Sequence, residues 1–108
     1  MTVLDNFTFL SEAGSATTGN VLKNIHGDNL TLGVSGTFAG RITVQGKQGG
    51  VWYDLTVANL VTLDTSTEII SPGSYAVVQP QGFTSIRCNL TVISSGSVTV
   101  TGRLVTEN

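Results

Sequence analysis

The chain has 108 residues, which is enough for one hydrophobic core and therefore for one domain. Only 11% of the residues are charged and the net charge is −2, so the sequence lacks the basic patch that a nucleic-acid partner requires. Because interspersed charges normally keep small domains apart, this composition favours an assembled protein over a free monomer.

Residues 1–19 differ from the rest of the sequence. Residues 1–10 mix apolar and polar side chains, and residues 11–19 are mostly small and without periodicity, as in a flexible joint. Two interpretations stay open, namely an arm that anchors on a neighbouring subunit and an edge strand that folds back on its own domain. Phe7 and Phe9 alternate with polar residues, which predicts a strand in either case.

The beginning of the sequence does not have the pattern of a targeting signal. It has no basic region followed by an apolar one, and no apolar run in the chain approaches the length of a transmembrane helix. We therefore expect synthesis in the cytoplasm and no membrane partner.

Residues 20–108 read as a single domain of short strands. Apolar and polar residues alternate with a period of two, which is typical of strands that bury one face. Turn residues separate the alternating segments, and the turn at residues 94–97 predicts a hairpin between the last two strands. The predicted strands lie near residues 20–26, 29–35, 37–47, 51–58, 60–64, 67–70, 74–79, 84–94 and 97–106.

These strands leave no room for a helix, so we predict an all-β fold, an antiparallel β-sandwich. Its topology is either that of a jelly roll or that of an immunoglobulin-like sandwich, and the choice depends on pairings that alternation does not reveal. The face predicted to line the core carries Phe38, Ile42, Val44, Ile86, Cys88, Leu90, Val92, Val98, Val100 and Leu104.

Residues that could support catalysis or hold a metal are sparse. The single histidine, His26, lies in a predicted turn far from the single cysteine, Cys88, which the alternation places in the core. Calcium could use residues 28–29, or Asp64 with Glu68, but neither pair has the density of oxygen ligands that a loop site needs. We therefore expect no enzymatic activity, no metal and no cofactor.

Aromatic residues are the remaining candidates for a site. Trp52 and Tyr53 are adjacent, so a regular strand turns them to opposite faces. With Tyr53 in the core beside Val51 and Leu55, Trp52 faces outward, where it could stack on a sugar or be buried between subunits. A β-bulge would reverse the two rings.

Several apolar residues fall on faces that alternation turns away from the core, or on the N-terminal segment. In a monomer they would form an exposed patch of the sort that marks an interaction site. The candidate interface therefore consists of Phe7, Phe9, Trp52, Ile93 and Val105.

Residues 36–105, about two-thirds of the chain, carry a series of short motifs. They are Gly-Arg-Ile-Thr-Val-Gln-Gly at 40–46, Gly-Gly-Val-Trp at 49–52, Ser-Pro-Gly-Ser-Tyr at 71–75, Phe-Thr-Ser-Ile-Arg-Cys at 83–88 and Ser-Gly-Ser-Val-Thr-Val-Thr-Gly-Arg at 95–103. The series resembles small virion proteins of tailed bacteriophages, the jelly rolls of the head-decoration, head-fibre and tail-accessory type. The resemblance implies a jelly roll that trimerises on a capsid or tail surface without enzymatic activity.

We therefore expect a phage virion structural protein, located in the virion, that decorates the capsid as a homo-oligomer, with a trimer as the expected state. Its partners would be further copies of the chain and the major capsid protein or another virion protein. The alternative is a carbohydrate-binding or host-recognition module of a phage tail fibre, in which Trp52 would stack on a glycan.

Overall fold

The structure is a computed structural model that describes residues 2–23, 29–78 and 82–106. Within these ranges there is no α-helix, and so none that could span a membrane. The strands are β1 (Thr2–Ala13), β2 (Val21–Lys23), β3 (Asn29–Ser35), β4 (Phe38–Gln48), β5 (Val51–Asp54), β6 (Val57–Asn59), β7 (Thr65–Ser66), β8 (Gly73–Val77), β9 (Ser85–Gly96) and β10 (Val98–Thr106).

The strands form two antiparallel sheets that enclose one core. The large sheet has the order β1-β10-β3-β8-β6-β7, and the small sheet has the order β2-β9-β4-β5. The chain changes sheet after β1, β2, β3, β5, β8 and β9, so most consecutive strands lie in opposite sheets. The all-β antiparallel sandwich predicted from the alternation is confirmed.

The predicted hairpin between the last two strands is wrong, because β9 belongs to the small sheet and β10 to the large one. The chain turns between the sheets at Gly96, whose φ is 78°. This corner packs on the corner between β3 and β4, where the Ser97 N–H donates to the Thr37 carbonyl oxygen over 3.1 Å. A Cβ on Gly36 would lie 2.5 Å from the Ser97 carbonyl oxygen, so the two corners meet through their backbones.

The N-terminal segment is an edge strand of its own domain. β1 pairs antiparallel with β10 along its whole length, from Thr2 opposite Thr106 to Ala13 opposite Val98. Phe9 is fully buried and forms part of the core. Of the two interpretations of residues 1–19, the structure therefore has the folded-back strand.

The outer edge of β1 is covered in the middle by Asn20. The Asn20 N–H donates to the Phe9 carbonyl oxygen over 2.9 Å, and its side-chain amide donates to the Thr8 carbonyl oxygen over 3.0 Å. Since an open edge strand pairs readily with other chains, these two bonds remove acceptors that a foreign strand would use.

A β-bulge reverses two side chains of β9 relative to the prediction. The register between β4 and β9 shifts between Arg41 and Ile42, so that Arg41 lies opposite Val92 and Ile42 opposite Leu90. Val92, predicted in the core, is 53% exposed, whereas Ile93, predicted to face outward, packs against the core. The extra residue breaks the period of two on which the prediction rested.

Cys88 gives a simple test of this core. Its side chain has no exposed surface, and burial raises the pKa of the thiol, so the reactive thiolate does not form in the folded protein. We expect a thiol reagent to label Cys88 only after unfolding, which mass spectrometry with and without denaturant would measure. Rapid labelling of the folded chain would place Cys88 at the surface.

Candidate functional site

The structure disperses the residues of the predicted interface. Phe9 is fully buried and Val105 is 7% exposed, so neither is available to a partner, and their prediction as interface residues is wrong. Phe7 and Ile93 are half-buried and pack against the chain's own core, with the Phe7 ring edge-on to that of Phe9 at 4.9 Å between centroids. Trp52 alone remains on an outer face, and it lies on the small sheet.

The core does not extend over the β4–β5 hairpin. Val51 and Tyr53, predicted in the core, are 50% and 49% exposed, whereas Leu55 is buried as predicted. β5 is the edge strand of the small sheet, and Val51 lies opposite Gln48 at the hairpin end. These side chains therefore lie at the rim, where the opposite sheet does not cover them.

Trp52 belongs to a group of side chains on the outer face of the small sheet, which we call the Trp52 cluster: Gln45, Lys47, Trp52, Asp54 and Arg87. The Arg87 guanidinium carbon lies 4.1 Å from the centre of the indole ring, and the Lys47 nitrogen lies 5.8 Å from it. Arg87 Nε donates to Gln45 Oε1 over 2.9 Å, and Gln45 Nε2 donates to Asp54 Oδ1 over 3.0 Å. Because Arg87 covers a face of the ring, a sugar would have to displace it in order to stack there.

A second surface lies between β6 and β7, at residues 59–64, which we call the apolar turn. Asn59 holds this turn with both its side chain and its backbone. Its Oδ1 accepts from the Val61 N–H over 2.8 Å and from the Thr62 N–H over 3.1 Å. Its carbonyl oxygen accepts from the Leu63 N–H over 2.7 Å, and its own N–H donates to the Asp64 carbonyl oxygen over 2.9 Å. These bonds fix the backbone of the turn.

The apolar turn presents aliphatic side chains to solvent. Val61 is 85% exposed and Leu63 is 74% exposed. Leu63 also has a φ of 65°, a conformation that costs a residue other than glycine about 1–3 kcal/mol. Exposure and backbone strain at one leucine are both unfavourable to folding, so the apolar turn is a candidate interaction surface.

The acidic pair considered for calcium lies beside the apolar turn. Asp64 and Glu68 line a shallow cavity of about 390 Å³ together with Ile70, and Glu68 pairs with Arg41 at 3.9 Å. Among the residues that the structure describes, no group of three or more acidic, histidine or cysteine side chains could hold a metal ion. His26 and the calcium candidate Asp28 lie outside the described residues.

The sequence prediction missed the apolar turn because Leu-Val-Thr-Leu at residues 60–63 was assigned to a strand. The signal that could have identified it is Asn59, since asparagine before such a segment accepts bonds from the next backbone N–H groups and starts a turn. Ile70, 65% exposed, was likewise assigned to a strand that the structure reduces to a bridge between Ile69 and Ile42.

No family model matches the sequence, and no curated protein matches it. Solved structures that match include the SPBc2 prophage-derived protein YomS, with 22% identity, a TM-score of 0.85 and coverage of 94% of this chain and 92% of YomS. The PBSX exported protein XepA matches with 22% identity, a TM-score of 0.87 and coverage of 93% of this chain and 37% of XepA. The likeness shows a shared fold, which in YomS extends over nearly the whole protein.

Proposed function

We propose that this chain is a non-enzymatic phage virion structural protein that decorates the capsid surface as a closed homo-oligomer, expected to be a trimer. The observation that carries the proposal is the apolar turn, in which Leu63 is both strained and 74% exposed. The fold shared with a prophage-derived protein and the low content of charged residues, 11%, support it.

The rigidity of the apolar turn suits assembly on a repeating surface. A loop that is already ordered loses little conformational entropy on binding. Less of the free energy gained by burying its apolar side chains is then offset by the cost of ordering the loop, so more of it contributes to affinity. A shell offers many identical sites, and binding to them stabilises the folded domain by mass action. Sparse charge also suits close contact between identical copies, because it limits like-charge repulsion.

A glycan-binding module of a tail fibre is the alternative. That function requires an aromatic face open to a sugar ring. In the Trp52 cluster Arg87 lies over the indole, so the geometry supports this alternative less well than decoration.

Replacing Leu63 with asparagine separates assembly from folding. Asparagine tolerates the φ of 65°, so we expect the free energy of unfolding to stay unchanged or to rise by up to about 1 kcal/mol. Assembly should weaken, because a 74% exposed apolar side chain is lost from the contact. Urea denaturation followed by circular dichroism and light scattering coupled to size-exclusion chromatography measure the two effects.

The matched control is Val92→Asn, which removes a 53% exposed aliphatic side chain from the other sheet. The Val92→Asn variant should assemble to the same extent as the wild type. If Leu63→Asn assembles as well as Val92→Asn does, the apolar turn is not an assembly contact.

The location is tested with particles induced from a lysogen that carries the gene, compared with particles from a deletion strain. We expect the chain to copurify with the complete particles, and the purified protein to bind the deletion particles up to a saturating copy number. Absence from the particles contradicts a virion protein. Binding to host-cell glycans that is lost in Trp52→Ala, without binding to capsids, favours the tail-fibre alternative.

A further inference from the structure

The shallow cavities on the outer face of the large sheet are lined by small residues, such as Thr31 and Gly33, and by larger ones, such as Phe7 and Val105. Leu30 and Leu32 of β3 point into the core, so Thr31 and Gly33 between them face outward. Arg103 of β10 lies directly opposite Thr31. Thr31 and Arg103 line both of the shallow cavities on this face, which have volumes of about 330 and 300 Å³. The face is therefore a trough with one arginine near its centre.

Arg103 is exposed, and its guanidinium has no partner among the described residues. Most of the other basic side chains have an interaction partner. Arg41 pairs with Glu68, and Lys47 and Arg87 lie over the indole ring of the Trp52 cluster. Arg103 is therefore a free cation on an otherwise neutral stretch of sheet.

The apolar turn carries the complementary charge. Val61 and Leu63 are exposed on it, and it ends at Asp64. The Asp64 carboxylate has no ion pair or hydrogen bond with any residue that the structure describes, since the hydrogen bonds of Asp64 are made by its backbone N–H and carbonyl groups. A free anion thus stands beside the exposed aliphatic side chains, as a free cation stands in the trough.

We propose that the apolar turn of one copy docks on the outer face of the large sheet of a second copy, with Asp64 facing Arg103. The contact uses a different surface on each copy, so it repeats from copy to copy and closes into a ring when the rotation permits. Aliphatic burial supplies affinity, and the charge pair sets the register. This inference rests on the proposed homo-oligomer and names the surfaces that form it.

Charge reversal tests the pairing. Asp64→Arg and Arg103→Asp each place like charges in the contact, and each should raise the dissociation constant of self-association at least about tenfold. The double variant restores an opposite pair and should return the constant to within about threefold of the wild-type value. Sedimentation equilibrium measures the constants, and the urea midpoint of each variant shows that it is folded.

The controls make the same charge changes at exposed residues away from the contact. Glu12→Arg matches Asp64→Arg, and Lys23→Asp matches Arg103→Asp. Both controls should self-associate within about twofold of the wild type, because neither residue faces the proposed contact.

Three results would overturn the inference. If both single reversals assemble like their controls, or if both weaken assembly and the double variant does not recover, then Asp64 and Arg103 do not face each other, while the proposed oligomer stands. If the wild type is monomeric in solution but binds deletion particles, the proposed homo-oligomer fails together with this contact, while capsid decoration stands. Failure of the virion role differs from all of these, since the chain would then be absent from the particles.

Discussion

Replacing Gly96 with alanine is expected to lower the free energy of unfolding by more than about 3 kcal/mol, or to prevent folding. The φ of Gly96 is 78°, which an alanine adopts only with strain. A Cβ there would also collide with the carbonyl oxygen of Thr37 and would lie 3.0 Å from the Cα of Phe38. Both are backbone atoms of the facing corner, so no change of rotamer relieves the overlap.

Gly49→Ala is the matched control for this substitution. Gly49 has a φ of 60°, and no atom lies within 4 Å of the position that a Cβ would take. Alanine there is destabilised by the backbone conformation alone, which should lower the free energy of unfolding by about 1 kcal/mol. Urea denaturation of both variants, followed by circular dichroism, gives the difference. Equal effects at the two glycines would contradict the close approach of the β3–β4 and β9–β10 corners.

Phe9→Ala is expected to lower the free energy of unfolding by about 3–5 kcal/mol. The ring is fully buried against Gly102, where a Cβ would lie 2.5 Å from Phe9 Cε2, so the missing side chain of the glycine makes room for the ring. Alanine leaves a cavity that the paired backbones of β1 and β10 are held too firmly to fill. Urea denaturation under conditions that keep the chain monomeric measures the loss.

Phe7→Ala is the companion variant, because Phe7 lies on the same strand and is only half-buried. The Phe7→Ala substitution should lower the free energy of unfolding by about 1–2 kcal/mol. Were β1 an arm that docks on a neighbouring subunit, Phe9→Ala would weaken assembly and leave the stability of the monomer unchanged, which is the opposite outcome.

Alternation in the sequence was sufficient to locate the long strands, because a half-buried strand needs a period of two. β3 at Asn29–Ser35 and β4 at Phe38–Gln48 lie within one residue of their predicted bounds. Alternation was not sufficient to pair the strands. β9 and β10 both bury one face, and this pattern is the same whether two strands form a hairpin or cross between sheets.

The interaction surface was harder to predict than the fold. Outward faces were assigned by counting residues along each strand, and one bulge next to Leu90 was enough to exchange Val92 with Ile93. The two most exposed aliphatic residues that the structure describes lie in the apolar turn, where Leu63 resembles a strand residue in sequence and a turn residue in backbone conformation. Position in the fold, which decides exposure, is a tertiary property.

Pairing of β1 with β10 has a consequence for how a cell makes this protein. The strand at the start of the chain completes its sheet only when Thr106, opposite Thr2, has left the ribosome. At synthesis rates of roughly 5–20 residues per second, the nascent chain holds Phe9 without its partner strand for about 5–20 s. Arg103 is also on this last strand, so an unfinished chain cannot yet offer the docking face that we propose. In the assembly that we propose, the contact between copies therefore forms only after β10 has been synthesised.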